Sequence, residues 1–161
     1  MSIHKLADIY HSDIAIVSPP EASTTVESSA NAQKRDNYYR SQNNYNNFKV
    51  GNTCGGPCNN RKEILLAGAN NGLLHAFDTS NGEELWAYLA PNMIGNLEKI
   101  PSNNANVTNA IYGIDGSPIV KDIYYDDTPN DGRNNPVWKT IALVGLGAGG
   151  HGYFALDITN P

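Results

Sequence analysis

In the second half of the chain the hydrophobic positions gather into short runs punctuated by Asn-Gly pairs and glycines. Ile64-Leu65-Leu66-Ala67-Gly68, Leu73-Leu74-His75-Ala76-Phe77-Asp78 and Glu84-Leu85-Trp86-Ala87-Tyr88-Leu89 have strand length, and Asn71-Gly72 and Asn81-Gly82 separate them. Runs of this size bounded by turn residues read as strands. Asn-Gly between them signals a type I′ hairpin turn, which needs positive φ at both central positions. Two such turns ten residues apart predict an antiparallel meander over 64–89. Leu74 and Ala76 fall on one face of its middle strand and Leu73 and Phe77 on the other, so a sheet covered on both sides is expected.

The pattern then recurs. After Pro91, Met93, Ile94, Leu97 and Ile100, whose spacing predicts a short helix, strand material returns at Asp115-Gly116-Ser117-Pro118-Ile119 through Tyr125. A polar loop, 126–136, leads to Val137 through Gly145, a glycine-rich turn at Gly147 and Gly150, and Tyr153 through Asp157. Ile64–Gly68 answers to Ile141–Gly145, and Leu74–Asp78 to Tyr153–Asp157, the glycines lying 77 and the aspartates 79 residues apart. The start of the second unit at Ser117-Pro118 corresponds to His11-Ser12-Asp13, ahead of a short strand at Asp13–Val17 that Ser18-Pro19-Pro20 ends. Between the two lies 21–62, rich in Asn, Ser and Tyr and poor in aliphatics, which reads as an inserted polar excursion with a helical turn or two before Phe48.

Repeating units of four antiparallel strands are the signature of a β-propeller. The expected fold is all-β: a partial propeller of about two four-stranded blades, quinoprotein-like, occupying 1–161 as one domain with the 21–62 insertion inside the first blade. The second copy reads as lacking its fourth strand. Ile119, Ile141, Leu143, Phe154 and Leu156 are then expected to be uncovered on one side.

Charge and composition narrow the function classes. The 161 residues carry a net charge of −5, which leaves no basic footprint for nucleic acid. No apolar run reaches the roughly 18 residues of a membrane-spanning helix, and His4, Lys5 and Asp8 stand where the apolar core of a signal peptide would be. The only cysteines, Cys54 and Cys58, bracket Gly55-Gly56-Pro57. Without a second pair a structural zinc site is not expected; a local disulfide suits a protein outside the cytoplasm and two free thiols suit one inside it.

Gly68-Ala69-Asn70-Asn71-Gly72-Leu73-Leu74-His75-Ala76-Phe77-Asp78, Gly82-Glu83-Glu84-Leu85-Trp86-Ala87-Tyr88, Asp115-Gly116-Ser117-Pro118 and Gly145 through Asp157 closely resemble the propeller domain of the PilC/PilY-type pilus proteins. Lys5 through Ser12 looks like the start of that domain, so the resemblance covers nearly the whole chain; the 21–62 segment departs most. It implies a type IV pilus biogenesis factor and tip adhesin, a structural and binding scaffold without enzymatic chemistry, in the periplasm or on the surface of a Gram-negative-type bacterium. The implied partners are pilus tip and minor pilin proteins and a host or abiotic surface. Calcium belongs, by the same resemblance, to a loop elsewhere in the full-length protein, with no cofactor implied here. In an oxidising compartment Cys54 and Cys58 are expected to join, since no other cysteine competes.

Other candidate chemistry is weaker than its plainer reading. Gly145-Leu146-Gly147-Ala148-Gly149-Gly150 matches a dinucleotide-binding string, yet strand residues follow where a helix is needed, so Gly147 and Gly150 are read as turn residues alongside Asn71, Gly72, Asn81 and Gly82. The histidines at 4, 11, 75 and 151 show no acid and nucleophile cluster in sequence, and His75 reads as a hydrogen-bonded core residue. Asp127 and Asp131 fit positions 1 and 5 of a calcium loop, but Pro129 and Trp138 occupy positions 3 and 12, and a solvated loop is favoured. Trp86 and Trp138, with Tyr88, Tyr153 and Phe154, would be docking aromatics in a quinoprotein-type dehydrogenase, the enzyme alternative. Packing between blades is the plainer account of them; a propeller scaffold of the outer-membrane assembly kind is the third reading.

Overall fold

A computed structural model of the chain describes residues 6–26, 32–99, 112–126, 132 and 135–161. It is mostly β, with two antiparallel sheets of four and three strands and few helices. The chain forms two compact units. The first comprises Met1–Val17, Glu63–Val120 and Ala142–Leu156, the second Ser18–Lys62, Lys121–Ile141 and Asp157–Pro161.

The four-stranded sheet lies in the first unit. Strands β1 (Ala15–Val17), β2 (Ile64–Gly68), β3 (Leu73–Asp78) and β4 (Glu84–Leu89) follow one another in spatial order, so β1 and β2 pair across all the sequence between them. The register sets Val17 opposite Ile64, Leu66 opposite Ala76 and Gly68 opposite Leu74. Alternation places these residues on one face, and Val17, Ile64, Leu66, Leu74 and Ala76 are almost fully buried there. Leu73 and Phe77 on the opposite face are half-buried and share it with the buried Ala67 and His75. A bulge between Ala76 and Phe77 shifts the β3–β4 register.

The hairpins differ from the type I′ expectation. Gly72 and Gly82 have φ of 80° and 75°, but among the described non-glycine residues only Asn44 has positive φ. In the first turn Gly72 N–H donates to Ala69 O and Ala69 N–H to Leu73 O, giving a three-residue loop with Gly72 at its left-handed position. In the second, Gly82 N–H donates to Asp78 O and Asp78 N–H to Glu83 O, closing a four-residue loop. Asn71 and Asn81 act through their side chains: each Oδ1 accepts the amide two residues on, Leu73 at 3.1 Å and Glu83 at 2.9 Å. The Asn-Gly pair thus divides the work, the amide side chain closing a local turn and the glycine supplying positive φ.

The helix expected from Pro91 is a 3-10 helix over Pro91–Lys99, with Gly95 and Asn96 disfavouring a longer α-helix, and Ile100 lies outside the described residues. Met93 is buried from it.

Strands β5 (Ile119–Tyr125), β6 (Val137–Gly145) and β7 (Tyr153–Asp157) form the second sheet, in that order. Burial alternates along each of them. Ile119 and Leu143 are 65% and 41% exposed, as an uncovered face requires. Phe154 and Leu156 are half-buried, and Phe154 stacks at 5.3 Å on Tyr88. In β7 the exposed positions are Tyr153, Ala155 and Asp157, so Phe154 and Leu156, contrary to the expectation, lie off the exposed face, and Ile141 in β6 is half-buried. A one-residue change of parity moves a side chain to the other face. The glycine string forms a 3-10 turn, Gly147–Gly149, that runs directly into β7. Gly147 and Gly150 have φ of 57° and 151°. Gly149 faces backbone so closely that a Cβ there would collide with Gly113 O.

The second unit corrects the picture of a polar surface excursion. It contains helices α1 (Ala32–Gln42) and α2 (Tyr45–Val50), two 3-10 turns at Asn52–Cys54 and Cys58–Asn60, and a core of its own. Tyr45, Phe48, Cys54, Cys58 and Trp138 are buried together, with Ala22 and Tyr124 packed against them. Tyr45 and Phe48 sit three apart on α2 and so share a face, while the asparagines around them dilute the average hydropathy and conceal that face in sequence.

Candidate functional site

The second unit holds the most elaborate grouping of side chains. Trp138 sits at its centre, its ring 4.8 Å from Tyr45 and 5.2 Å from Tyr124, with its indole N–H donating to Asn43 O at 2.7 Å. Edge-to-face and tilted arrangements of this kind suit the positive edge and negative face of aromatic rings. Cys54 and Cys58 are joined by a disulfide, with 5.1 Å between their Cα atoms, and Cys58 is fully buried against the ring cluster.

A polar network continues from the rings. The Tyr45 hydroxyl donates to Asp122 Oδ2, and the Thr140 hydroxyl donates to Asp122 Oδ1 at 2.6 Å. Thr140 Oγ1 in turn accepts from Arg61 Nη1 at 2.6 Å, while Arg61 Nη2 and Nε both donate to Ser18 O. Burial, then the hydrogen bond to Asp122 and its charge, push the Tyr45 phenol well above its ordinary value. Burial pulls Arg61 below its ordinary value against the attraction of Asp122. No buried side-chain nitrogen or oxygen among the described residues lacks a partner, so the network is fully satisfied.

Two surface clefts flank the Tyr124–Trp138 pair in this unit. One, of about 270 Å³, carries charge: Asp36, Arg40, Lys121 and Asp122 with Tyr39. Those charges are mutually engaged, Asp36 lying 3.6 Å from Arg40 and 3.8 Å from Lys121. The other, of about 250 Å³, has no charged residue in its lining and joins Asn43, Asn44, Asn47 and Thr53 to the rings of Tyr124 and Trp138.

In the first unit two histidines have acidic partners that their sequence neighbourhoods do not reveal. His11 Nδ1 lies 2.9 Å and 3.0 Å from the two carboxylate oxygens of Asp115, which also accept the Ala148 amide at 3.4 Å. Asp13 N–H donates to Ser117 Oγ beside them. His75, 4% exposed, has Nδ1 2.8 Å from Glu84 Oε1 and Nε2 near Asn71. These pairs pin strands and turns. Among the described residues no three His, Cys, Asp or Glu converge as metal ligands. Asp127 and Asp131 lie outside the described residues.

The turn residues Asn71, Gly72, Asn81, Gly82, Gly147 and Gly150 occupy hairpins of the first unit, and Cys54 and Cys58 belong to the second; the structure does not gather them into one site. Sequence reasoning missed Arg61, Asp122 and Thr140. The available signal was parity: Asp122 and Thr140 alternate with outward neighbours and take inward positions in β5 and β6, where a polar residue needs a buried partner.

No family model matches the chain, and no solved structure matches it. Curated proteins do. The chain is similar to proteins of the type IV pilus machinery, which are named as biogenesis factors. The particular relative is PilY1. From Pseudomonas aeruginosa strain UCBPP-PA14 it is 29% identical over 156 residues, covering 97% of this chain and 11% of the relative. From strain PAK it is 35% identical over 101 residues, covering 63% of this chain and 8% of the relative. A PilY1 homolog of Xylella fastidiosa strain Temecula1 is 35% identical over 102 residues, again 63% and 8%. The chain is thus similar to a segment of PilY1-type pilus biogenesis factors, and spans about a tenth of the length of these curated proteins. No helix among the described residues is long and apolar enough to cross a membrane.

Proposed function

We propose that this chain is a scaffold segment of a type IV pilus biogenesis factor, acting in pilus assembly and surface attachment without catalysis. The observation that carries the reading is similarity to PilY1 over 97% of the chain. Two successive antiparallel sheets, of four and three strands, support its structural half: they fit the antiparallel blades of a propeller, the first interrupted by the 21–62 insertion. The exposed Ile119 and Leu143 suit a face that further blades cover. Its setting is the periplasm and the cell surface, with minor pilins or other tip proteins as partners, and calcium belongs to other parts of the whole protein.

The test is deletion of this segment, in frame, from the chromosomal gene of the source bacterium, followed by counting surface pili and attached cells. Loss of both, restored by the intact gene, is the expected result. Normal piliation and attachment in cells shown to have lost the segment would overturn the proposal.

A further inference from the structure

The uncharged cleft of the second unit has chemistry that its structural role does not use. Helix α2 and the residue before it read Asn44-Tyr45-Asn46-Asn47-Phe48, with Tyr45 and Phe48 turned into the core. Asn44 holds left-handed backbone, which asparagine tolerates, but Asn47 lies inside the helix, where asparagine is up to roughly 0.7 kcal/mol worse than alanine, so solvent exposure alone gives no reason for it over Lys, Glu or Ala. Asn44 makes no side-chain cap bond to the helix, and both Asn44 and Asn47 are exposed at the cleft. Each amide offers donors and an acceptor together, the arrangement that meets vicinal hydroxyls, which also donate and accept. The half-buried Tyr124 and the largely buried Trp138 line the same cleft, together with Thr53. A lining that combines aromatic side chains with amide and hydroxyl groups and has no charged residue matches a ligand having an apolar C–H face and a ring of hydroxyls.

We infer that this cleft binds one pyranose residue of a neutral glycan, its C–H face on Tyr124 and its hydroxyls on Asn44, Asn47 and Thr53. At about 250 Å³ the cleft is smaller than the roughly 300 Å³ lower bound of drug-sized pockets, which limits it to a single ring. The inference deepens the attachment role proposed above and rests on it for biological setting, though not for chemistry.

The experiment uses the 161-residue chain and a panel of methyl pyranosides: neutral hexoses, N-acetylhexosamines, and a uronic acid as the charged control. The Trp138 indole N–H and the Asn44 and Asn47 side-chain amides are followed by NMR, with the Trp86 indole as internal reference. Saturable shifts of the first three with a neutral sugar, and none at Trp86, are expected. Asn47→Ala should weaken binding roughly fivefold through loss of hydrogen bonds, while the melting temperature holds or rises because alanine favours the helix. Absence of saturable shifts with every neutral sugar would overturn the inference. So would equal binding by Asn47→Ala, preference for the uronic acid, or displacement of the sugar by an uncharged peptide that binds more tightly. Failure here with pili lost on deletion retires only the glycan site; sugar binding with pili intact retires only the pilus reading.

Discussion

The two units bury different chemistry. The first is aliphatic, with Val17, Ile64, Leu66, Leu74, Met93, Ile114 and Leu146 each no more than 2% exposed. Its buried polar groups, such as Asp78 bonded to Ser80 and Ser12 to the Gly68 amide, serve turns and strand ends. The second is aromatic, cross-linked and polar at its centre, where Arg61, Thr140, Asp122 and Tyr45 form a chain of hydrogen bonds beside Trp138. An aliphatic core tolerates a volume-conserving swap at small cost, whereas a buried polar chain loses more when one member is removed, because the others are left unsatisfied. The second unit therefore depends more closely on one particular arrangement of its core. Each unit contains one of the two tryptophans, Trp86 and Trp138, so fluorotryptophan resonances report on the units separately.

Trp138→Ala should have the largest effect, about 4 kcal/mol, from lost ring contacts and the orphaned Asn43 carbonyl. Denaturant melts followed at the Trp86 fluorine read the stability of the remaining fold. A loss under 1 kcal/mol, measured at a circular dichroism band of the whole chain, would remove the ring cluster from the stability of the protein. Leu66→Ala comes next at about 3 kcal/mol, and its effect should be greater at Trp86 than at Trp138. Equal loss at both reporters would show the two units unfolding as one.

The difference between the units also explains what the sequence disclosed. Strands 64–68, 73–78 and 84–89 were legible because aliphatic runs of strand length alternate with Asn-Gly turns, and local pattern matches local structure there. The turn type was not legible. Asn in αL and Asn closing an Asx turn read identically in sequence, and the backbone chose the second. The core of the second unit was hidden because Tyr45 and Phe48 are isolated among asparagines and meet Trp138, on a strand far along the chain, only in three dimensions. Arg61 and Thr140 are 79 residues apart, and nothing local marks their bond.

Replacing both Cys54 and Cys58 by serine should cost about 2 kcal/mol at most, because a loop this short confers little chain-entropy stabilisation. Since Cys58 lies in the ring cluster, the loss should register at Trp138 before Trp86 in a thermal melt. An unchanged Trp138 transition would detach the disulfide from the core it packs against.

Alkaline pH gives a smaller and selective probe. The folded-state pKa of Tyr45 is raised above the ordinary 10.0. Its stabilising contribution is complete below pH 10, where both states are protonated, and is lost as pH rises toward the folded-state value. The slope is at most about 1.4 kcal/mol per pH unit. Melting temperatures measured across that range should fall more steeply at Trp138 than at Trp86, and Tyr45→Phe should flatten the difference. A slope unaltered in Tyr45→Phe would assign the alkaline loss to other groups.

The smallest effect tests the first unit's hairpin. Gly72 holds φ of 80°, and a Cβ there would meet Met93 only at 3.4–3.7 Å, ordinary contact distances. Space is therefore available, and any penalty comes from the backbone alone. A β-branched residue resists positive φ, so Gly72→Val should destabilise by about 1 kcal/mol or somewhat more, whereas Gly72→Asn, which tolerates the left-handed region, should lose about half as much. Chemical denaturation of both variants, read at Trp86, separates conformational strain from crowding. If Asn proves as costly as Val, the turn does not depend on left-handed backbone at Gly72, and the three-residue loop with its glycine hinge gives way to another geometry.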